Sequence, residues 1–210
     1  MASFLQQIGL GYGTDKSRNA HKGITFLEKY EKYFSGRIGE KLNILEMGVL
    51  NGGSVKTWKD YFLFSNIIGI DIDPRCKQFE SDRLEIFIGS QDSIEIRDKI
   101  KNKYNSLDII LDDGAHINEL MFNSFDLYWP LLNNNGIYII EDYSLGWGDM
   151  TEHAKNWPGM SYNDPKVELN NTKISLDEFI LRNIKELYNE NGSIYDIHFS
   201  HGSIIFTKKV

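Results

Sequence analysis

Apolar runs rich in isoleucine recur along this chain, and segments with helical spacing separate them. The apolar runs cover residues 43–49, 66–72, 84–88, 107–111 and 137–140. Runs that are apolar on both faces are typical of strands buried inside a parallel sheet. Helical spacing is found at residues 54–62, 93–104 and 117–132. Strands that alternate with helices predict an α/β fold with a Rossmann-like, doubly wound sheet.

The end of the chain has a different pattern. Residues 175–191 predict a helix with Ser175 as N-cap and Glu178 at the capping-box position. The runs 193–200 and 202–208 are strand-like and are joined by a short turn, so they predict an antiparallel hairpin. The expected sheet is therefore mostly parallel, with an antiparallel hairpin strand at its C-terminal end.

The chain length predicts one domain. Its 210 residues suffice for a single sizeable core, so we expect one domain over residues 1–210. Residues 143–174 lack clear periodicity but are rich in tryptophan and tyrosine, which favours a substrate-binding loop. A packed surface excursion is the alternative for this segment.

Composition and charge exclude some partners. The net charge is -7 and no lysine- and arginine-rich cluster is present, which argues against a nucleic-acid partner. No apolar stretch approaches the roughly 18 residues that a membrane helix needs, and the N-terminus does not resemble a signal peptide. We therefore expect a cytoplasmic protein without a membrane partner, and a homo-oligomer remains open.

Acidic residues follow two neighbouring strands of the predicted sheet. Asp112, Asp113 and then His116 come after the run 107–111, and Glu141 with Asp142 follows the run 137–140. If these strands are parallel neighbours, four carboxylates and an imidazole meet at the carboxyl edge, where α/β folds place ligands. Hard oxygen ligands suit Mg²⁺ or Mn²⁺. The alternative is that the acids only cap the following helices.

A glycine-rich turn after the first buried strand predicts a nucleoside site. Glu46, Gly48, Gly53 and Ser54 lie on or beside this turn, where the backbone can approach a ligand closely. Leu50 occupies the position where a pyrophosphate-binding turn has its second glycine, so a smaller nucleoside ligand is favoured.

Polar groups after the next two strands complete this site. Asp71, with Ile72 beside it, is placed to accept hydrogen bonds from ribose hydroxyls. Ser90, Gln91 and Asp92 supply polar groups suited to the rim of an adenine pocket.

Together these motifs resemble those of class I S-adenosylmethionine-dependent methyltransferases. More narrowly, they are similar to the metal-dependent macrolide-sugar O-methyltransferases of the mycinamicin and macrocin type. The pieces that carry this resemblance are Gly13-Thr14-Asp15-Lys16, Leu45-Glu46-Met47-Gly48, Gly52-Gly53-Ser54, Gly69-Ile70-Asp71, Asp112-Asp113-Gly114-Ala115-His116 and Glu141-Asp142.

The resemblance implies an activity and a set of site residues. It implies methyl transfer from S-adenosylmethionine to a sugar hydroxyl of a small-molecule acceptor, with Asp113, Glu141 and Asp142 as Mg²⁺ (or Mn²⁺) ligands and His116 as base. It also places an N-terminal segment, residues 1–40, over the cofactor. The cofactor-binding residues then expected are Thr14, Lys16, Glu46, Gly48, Gly53, Ser54, Asp71, Ile72, Ser90, Gln91, Asp92 and Asp112.

Other functions fit parts of the same pattern. A catechol-type O-methyltransferase would also use a metal with acidic ligands. A nicotinamide-dependent oxidoreductase shares the fold, but Leu50 disfavours it. A binding module without turnover is a further alternative, but it would have little use for the carboxylates and His116. For His116 itself, the alternative to a base is a metal ligand or a residue that orients a metal ligand.

Overall fold

The computed structural model describes residues 2–18, 20–21, 23–143 and 175–210. Its main sheet has seven strands, and a small two-stranded hairpin lies near the N-terminus. The strands are β1 (Ala20–His21), β2 (Ile24–Thr25), β3 (Asn43–Met47), β4 (Asn66–Asp71), β5 (Leu84–Ile88), β6 (Leu107–Asp112), β7 (Leu132–Glu141), β8 (Ile194–Ser200) and β9 (Ser203–Lys208).

The order of the main sheet is β5-β4-β3-β6-β7-β9-β8. Strands β5, β4, β3, β6 and β7 pair in parallel, whereas β9 pairs antiparallel with both β7 and β8. Strands β4 and β5 are added on one side of β3, and β6 is then added on the other side of β3. This reversal is a topological switch point, where doubly wound folds bind ligands. The prediction of a mostly parallel sheet closed by an antiparallel hairpin is confirmed.

Helices cover both faces of this sheet. They are α1 (Phe4–Tyr12), α2 (Phe26–Phe34), α3 (Gly53–Tyr61), α4 (Ile94–Tyr104), α5 (Asn118–Tyr128) and α6 (Leu176–Tyr188). Alternate residues of β3 face opposite core clusters: Leu45 packs on the α4, α5 and α6 side, and Ile44 packs on the α1, α2 and α3 side. The uninterrupted apolar runs follow from this burial on both faces.

The structure shifts two predicted boundaries and adds one short element. The helix expected to reach residue 132 ends at Tyr128, because Pro130 forces a 3-10 turn, Trp129–Leu131. Strand β7 then begins at Leu132, several residues before the apolar run. The connection from β4 to β5 carries a 3-10 helix, Pro74–Phe79.

The N-terminal segment folds as part of the same layer. Helix α1 packs on α3 and on α2, and Thr25 forms a complete capping box with Glu28 at the start of α2. Thr14 lies against Gly53, since a Cβ built on Gly53 would be 3.2 Å from the Thr14 Cα. Residues 13–17 therefore lie beside the glycine-rich turn that precedes α3.

The aromatic loop predicted to bind substrate falls mostly outside the described residues. These leave out residues 144–174, with Trp147, Trp157 and Tyr162. Tyr143 is described; it is buried and contacts Phe199 edge to face at 6.4 Å between ring centroids. Within the described ranges, no helix combines the length and the apolar character needed to cross a membrane.

Candidate active site

The strand registers bring the predicted site residues to one edge. Met47 pairs with Ile70 of β4 and with Asp112 of β6, and Asp112 pairs with Ile140 of β7. The carboxyl ends of these four strands are therefore level. The two acidic pairs and the glycine-rich turn lie side by side, as the sequence predicted.

Gly48 allows the turn after β3 to lie in contact with the loop after β6. It has φ +88°, and a Cβ at this position would lie 2.1 Å from the carbonyl oxygen of Asp113. The backbone N–H of Asp113 donates to the carbonyl of Met47 at 3.0 Å. The turn after β3 and the loop after β6 are thus pressed together at the switch point, and only glycine fits between them.

Asp71 holds the glycine-rich turn through the backbone. Its Oδ2 accepts from the N–H groups of Val49 at 2.8 Å and Leu50 at 3.0 Å, and its Oδ1 accepts from Asp73 at 2.8 Å. Leu50 and Ile72 beside it expose 62% and 74% of their surface. Exposed apolar side chains around a carboxylate suit a flat base attached to a ribose.

The predicted adenine-rim residues take different positions. Gln91 is buried: its Nε2 donates to Asp112 Oδ1 at 2.9 Å and to Ser124 at 3.1 Å, and its Oε1 accepts from the N–H of Ala115 at 2.8 Å. Ser90 donates to Asp92 at 2.6 Å, and both of these side chains are only partly buried. Gln91 therefore shapes the loop after β6, and Ser90 and Asp92 lie closer to solvent.

Asp112 and Asp113 point to opposite sides, as expected for neighbours at a strand end. Asp112 is 1% exposed and faces Gln91 in the interior, and burial raises its pKa to about 7. Asp113 is 19% exposed, and its side chain lies near that of Asp142 after β7. The structure thus uses Asp112 to support Gln91, and it places Asp113 in the open part of the site.

Asp113, His116 and Asp142 form a group that could hold a metal ion. One ligand atom from each lies within 4.8 Å of the others. Nε2 of His116 is 3.7 Å from Oδ1 of Asp113. The carboxylate oxygens of Asp113 and Asp142 are hard ligands that fit Mg²⁺ or Mn²⁺ and leave room for water and substrate oxygens. The imidazole of His116 suits softer metals, so beside such an ion it is available as a base.

The backbone at this group is in an unusual conformation. His116 has φ +54° and Asp142 has φ +52°, and neither is glycine. The N–H of Asp142 donates to the carbonyl of Gly202 at 2.6 Å, so the hairpin of β8 and β9 helps to hold it. Left-handed non-glycine residues cost energy and cluster at functional sites.

Glu141, the third predicted metal ligand, precedes Asp142 and lies in a buried ion cluster with Lys16 that also includes Asp113. The Lys16 ammonium is 1% exposed and lies 3.0 Å from Oε1 and from Oε2 of Glu141. It also donates to Oδ2 of Asp113 and lies 3.6 Å from Oε1 of Glu46. Lys16, predicted to bind the cofactor, is thus surrounded by carboxylates.

Burial and charge shift the pKa values in this cluster. Burial alone lowers the Lys16 pKa, but the charges of Asp113, Glu141 and Glu46 outweigh it and raise that pKa well above its usual range. Burial, together with the charge of Asp113, raises the pKa of Glu141. Burial raises the pKa of Glu46 to about 7, against the lowering effect of Lys16.

Two further side chains support the cluster, and the sequence did not single them out. Trp58 of α3 donates from Nε1 to Oε2 of Glu46 at 3.0 Å. Tyr30 of α2 is buried, and burial with the charges of Glu141 and Asp113 raises its pKa. The helical spacing of Phe26, Tyr30 and Phe34 predicts a buried face of α2, but no sequence signal places that face beside Glu141.

Comparison with known proteins identifies relatives of this chain. It is 29% identical over 179 residues to the mycinamicin VI 2''-O-methyltransferase of Micromonospora griseorubida, covering 82% of this chain and 42% of that protein. It is 30% identical to the L-olivosyl-oleandolide 3-O-methyltransferase of Streptomyces antibioticus, covering 74% of this chain and 39% of that protein.

A solved structure agrees over nearly the whole chain. The MycE methyltransferase from the mycinamycin biosynthetic pathway, in complex with Mg, SAH and mycinamycin VI, superposes with a TM-score of 0.76 and 25% identity. That match covers 99% of this chain and 55% of MycE. A putative caffeoyl-CoA O-methyltransferase from Staphylococcus aureus, at 14% identity and a TM-score of 0.56, shares the fold.

The chain spans about two-fifths of the length of the curated relatives it matches, 42% and 39% of the two described above. No family model matches the chain. This protein is a homologue of O-methyltransferases that act in macrolide pathways, and it has the α/β methyltransferase fold.

Proposed function

We propose that this chain transfers a methyl group from S-adenosylmethionine to a hydroxyl group of a sugar-containing small molecule, assisted by Mg²⁺ or Mn²⁺. One observation carries the proposal: Asp113, His116 and Asp142 form a group with metal-ligand spacing directly beside the glycine-rich turn at Gly48. A methyl donor on that turn and an acceptor at the group would then be neighbours. The names of two relatives include a sugar unit, rhamnosyl in one and L-olivosyl in the other.

The proposed cofactor site combines the turn after β3 with Asp71. The backbone of residues 48–53 can approach the cofactor closely, and the Asp71 carboxylate can still accept hydrogen bonds from its ribose hydroxyls. The exposed side chains of Leu50 and Ile72 provide apolar contacts for the adenine base. Thr14 lies against Gly53, which supports a covering role for the N-terminal segment. Ser54, Ser90 and Asp92 complete the proposed polar lining, whereas Glu46, Gln91 and Asp112 support it from beneath.

The chemistry requires removal of a proton from a weakly acidic alcohol. When bound, S-adenosylmethionine supplies the methyl group and the divalent cation lowers the pKa of the acceptor hydroxyl. The side chains of Asp113 and Asp142 would hold the cation, with Glu141 as the third proposed ligand. His116 accepts the hydroxyl proton as the new carbon–oxygen bond forms and the carbon–sulfur bond breaks. The products are the methyl ether and S-adenosylhomocysteine, with the proton left on His116.

The proposal predicts metal-dependent methylation of sugars. The purified chain should be incubated with S-adenosylmethionine and Mg²⁺ against a panel of glycosides, nucleotide sugars, free sugars and catechols, and methylated products measured by mass spectrometry. We expect a sugar-containing acceptor to be methylated and excess EDTA to abolish that transfer. Methylation of catechols alone would favour the catechol-type alternative, and full activity in EDTA would refute the role of the metal.

A further inference from the structure

Lys16 has an environment that few lysines have. It lies in the 3-10 helix Asp15–Ser17, before the first strand of the main sheet, yet its ammonium is 1% exposed. Lysine is almost never fully buried unless it is paired. Here it contacts three carboxylates from three different strand ends: Glu46 near the end of β3, Asp113 after β6 and Glu141 at the end of β7.

Lys16 contacts only one of the two carboxylate oxygens of Asp113 in the described contacts. Its ammonium binds Oδ2, whereas Oδ1 faces His116 Nε2 at 3.7 Å. Because one oxygen is engaged by Lys16, the carboxylate cannot rotate freely, and its other oxygen is directed into the group that could hold a metal. Outer partners of this kind orient metal-binding carboxylates and strongly affect metal affinity.

The Lys16 side chain is itself anchored at both ends. At the backbone, the side chain of Gln6 donates to the carbonyl of Ser17 at 2.7 Å, and Ser17 Oγ donates to the carbonyl of Thr14. At the ammonium, Glu46 is held in place by Trp58. Lys16 therefore connects the N-terminal segment to Glu46 before the glycine-rich turn and to Glu141 at the end of β7, and it is held in one position.

We propose that Lys16 is a positioning residue: its ammonium fixes the carboxylates of Asp113 and Glu141 so that the group of Asp113, His116 and Asp142 is preorganised for a divalent cation. This inference rests on the proposed function, because it assigns Lys16 a role toward the same metal. It differs from the predicted role of Lys16 as a cofactor contact. The alternative is that the Lys16 ammonium competes with the cation for the same carboxylates and so weakens cation binding.

A charge-balanced double variant separates these roles. Lys16→Met alone removes the tether but also makes the cluster more negative, which by itself attracts a cation. Lys16→Met with Glu46→Gln removes the ammonium and one carboxylate, so at a pH above the Glu46 pKa of about 7 the net charge of the cluster stays constant while the tether is lost. The amide oxygen introduced by Glu46→Gln can still accept from Trp58, and Glu46→Gln alone controls for that change.

The decisive measurement is calorimetric titration of the intact chain with Mg²⁺ and, separately, with S-adenosylhomocysteine. For the double variant we expect Mg²⁺ affinity to fall about 10- to 100-fold while S-adenosylhomocysteine affinity changes less than about threefold. Lys99→Met is the matched control, because Lys99 is 57% exposed and pairs only with Glu95 on the surface of α4 in the described contacts. Unchanged or tighter Mg²⁺ binding by the double variant overturns the positioning role.

A second measurement needs no variant. In the wild-type chain labelled with ¹⁵N-lysine, the buried Lys16 ammonium should exchange slowly enough to be seen by NMR. On addition of Mg²⁺ its signal should shift and persist, because the tether is kept. Loss of the signal would show that the cation displaces Lys16, which overturns the inference. Absence of Mg²⁺ binding to the wild-type chain would overturn this inference and the metal-dependent function together.

Discussion

At the scale of single residues, His116 and Asp142 combine a left-handed backbone with a place in the candidate metal site. Each residue has a positive φ without being glycine, and both belong to the one group with metal-ligand spacing found among the described residues. Such conformations cost on the order of 1–3 kcal/mol each and persist only where the surrounding structure enforces them. The contact from Asp142 N–H to Gly202 is one such constraint.

His116→Gln tests the proposed base. The glutamine keeps a polar side chain of similar reach but is not a base, so turnover should fall by roughly 10²-fold or more. Affinity for S-adenosylhomocysteine should change little. The matched control is His198→Gln, at an exposed histidine on β8 that bonds to Tyr33. Near wild-type turnover in a folded His116→Gln protein would show that metal activation alone suffices.

At the scale of elements, the loop between β6 and α5 is shaped by Gln91 from the neighbouring crossover. Gln91 bonds to Asp112 at the end of β6, to Ser124 in α5 and to the backbone of Ala115 between them. Gly114 packs directly on this amide, since a Cβ there would lie 2.2 Å from Gln91 Oε1. The loop that carries Asp113 and His116 therefore depends on one buried amide.

Gly114→Ala should disturb that loop. The added methyl group overpacks against Gln91, and we expect a loss of about 1–3 kcal/mol in the free energy of unfolding, measured by denaturant titration. Methyl transfer should fall as well, because Asp113 and His116 shift together. Gly36→Ala is the control, since a Cβ at Gly36 has no neighbour within 4 Å in the described structure. Equal stability of the Gly114→Ala and Gly36→Ala proteins would contradict this account.

At the scale of the whole molecule, the proposed ligands should stabilise the folded chain. S-adenosylhomocysteine at about 100 times its Kd should add about 2.7 kcal/mol and raise Tm by roughly 5–10 °C, because it binds the folded state alone. Thermal unfolding with S-adenosylhomocysteine, with NAD and without ligand measures this effect. NAD should leave Tm unchanged. A shift with NAD alone would support the oxidoreductase alternative.

The sequence alone determined the sheet and the location of the site. Strands buried on both faces must be apolar throughout, and the capping box of Ser175 and Glu178 is a local contact, so both are readable from consecutive residues. Acids that follow neighbouring parallel strands must meet at one edge, which placed Asp113 near Asp142. The capping box of Thr25 and Glu28 at the start of α2 is a local contact of the same kind.

Only the tertiary structure decided how the polar groups pair. Lys16 is 97 residues from Asp113 and 125 from Glu141 along the chain, so no local pattern indicates their contact. For the same reason, the sequence predicts that Gln91 lies near the cofactor edge but does not predict that its side chain is buried and bonds to Asp112. A strand or a helix cap is set by neighbours in sequence, whereas the environment of a buried charge depends on which distant segments the fold packs around it.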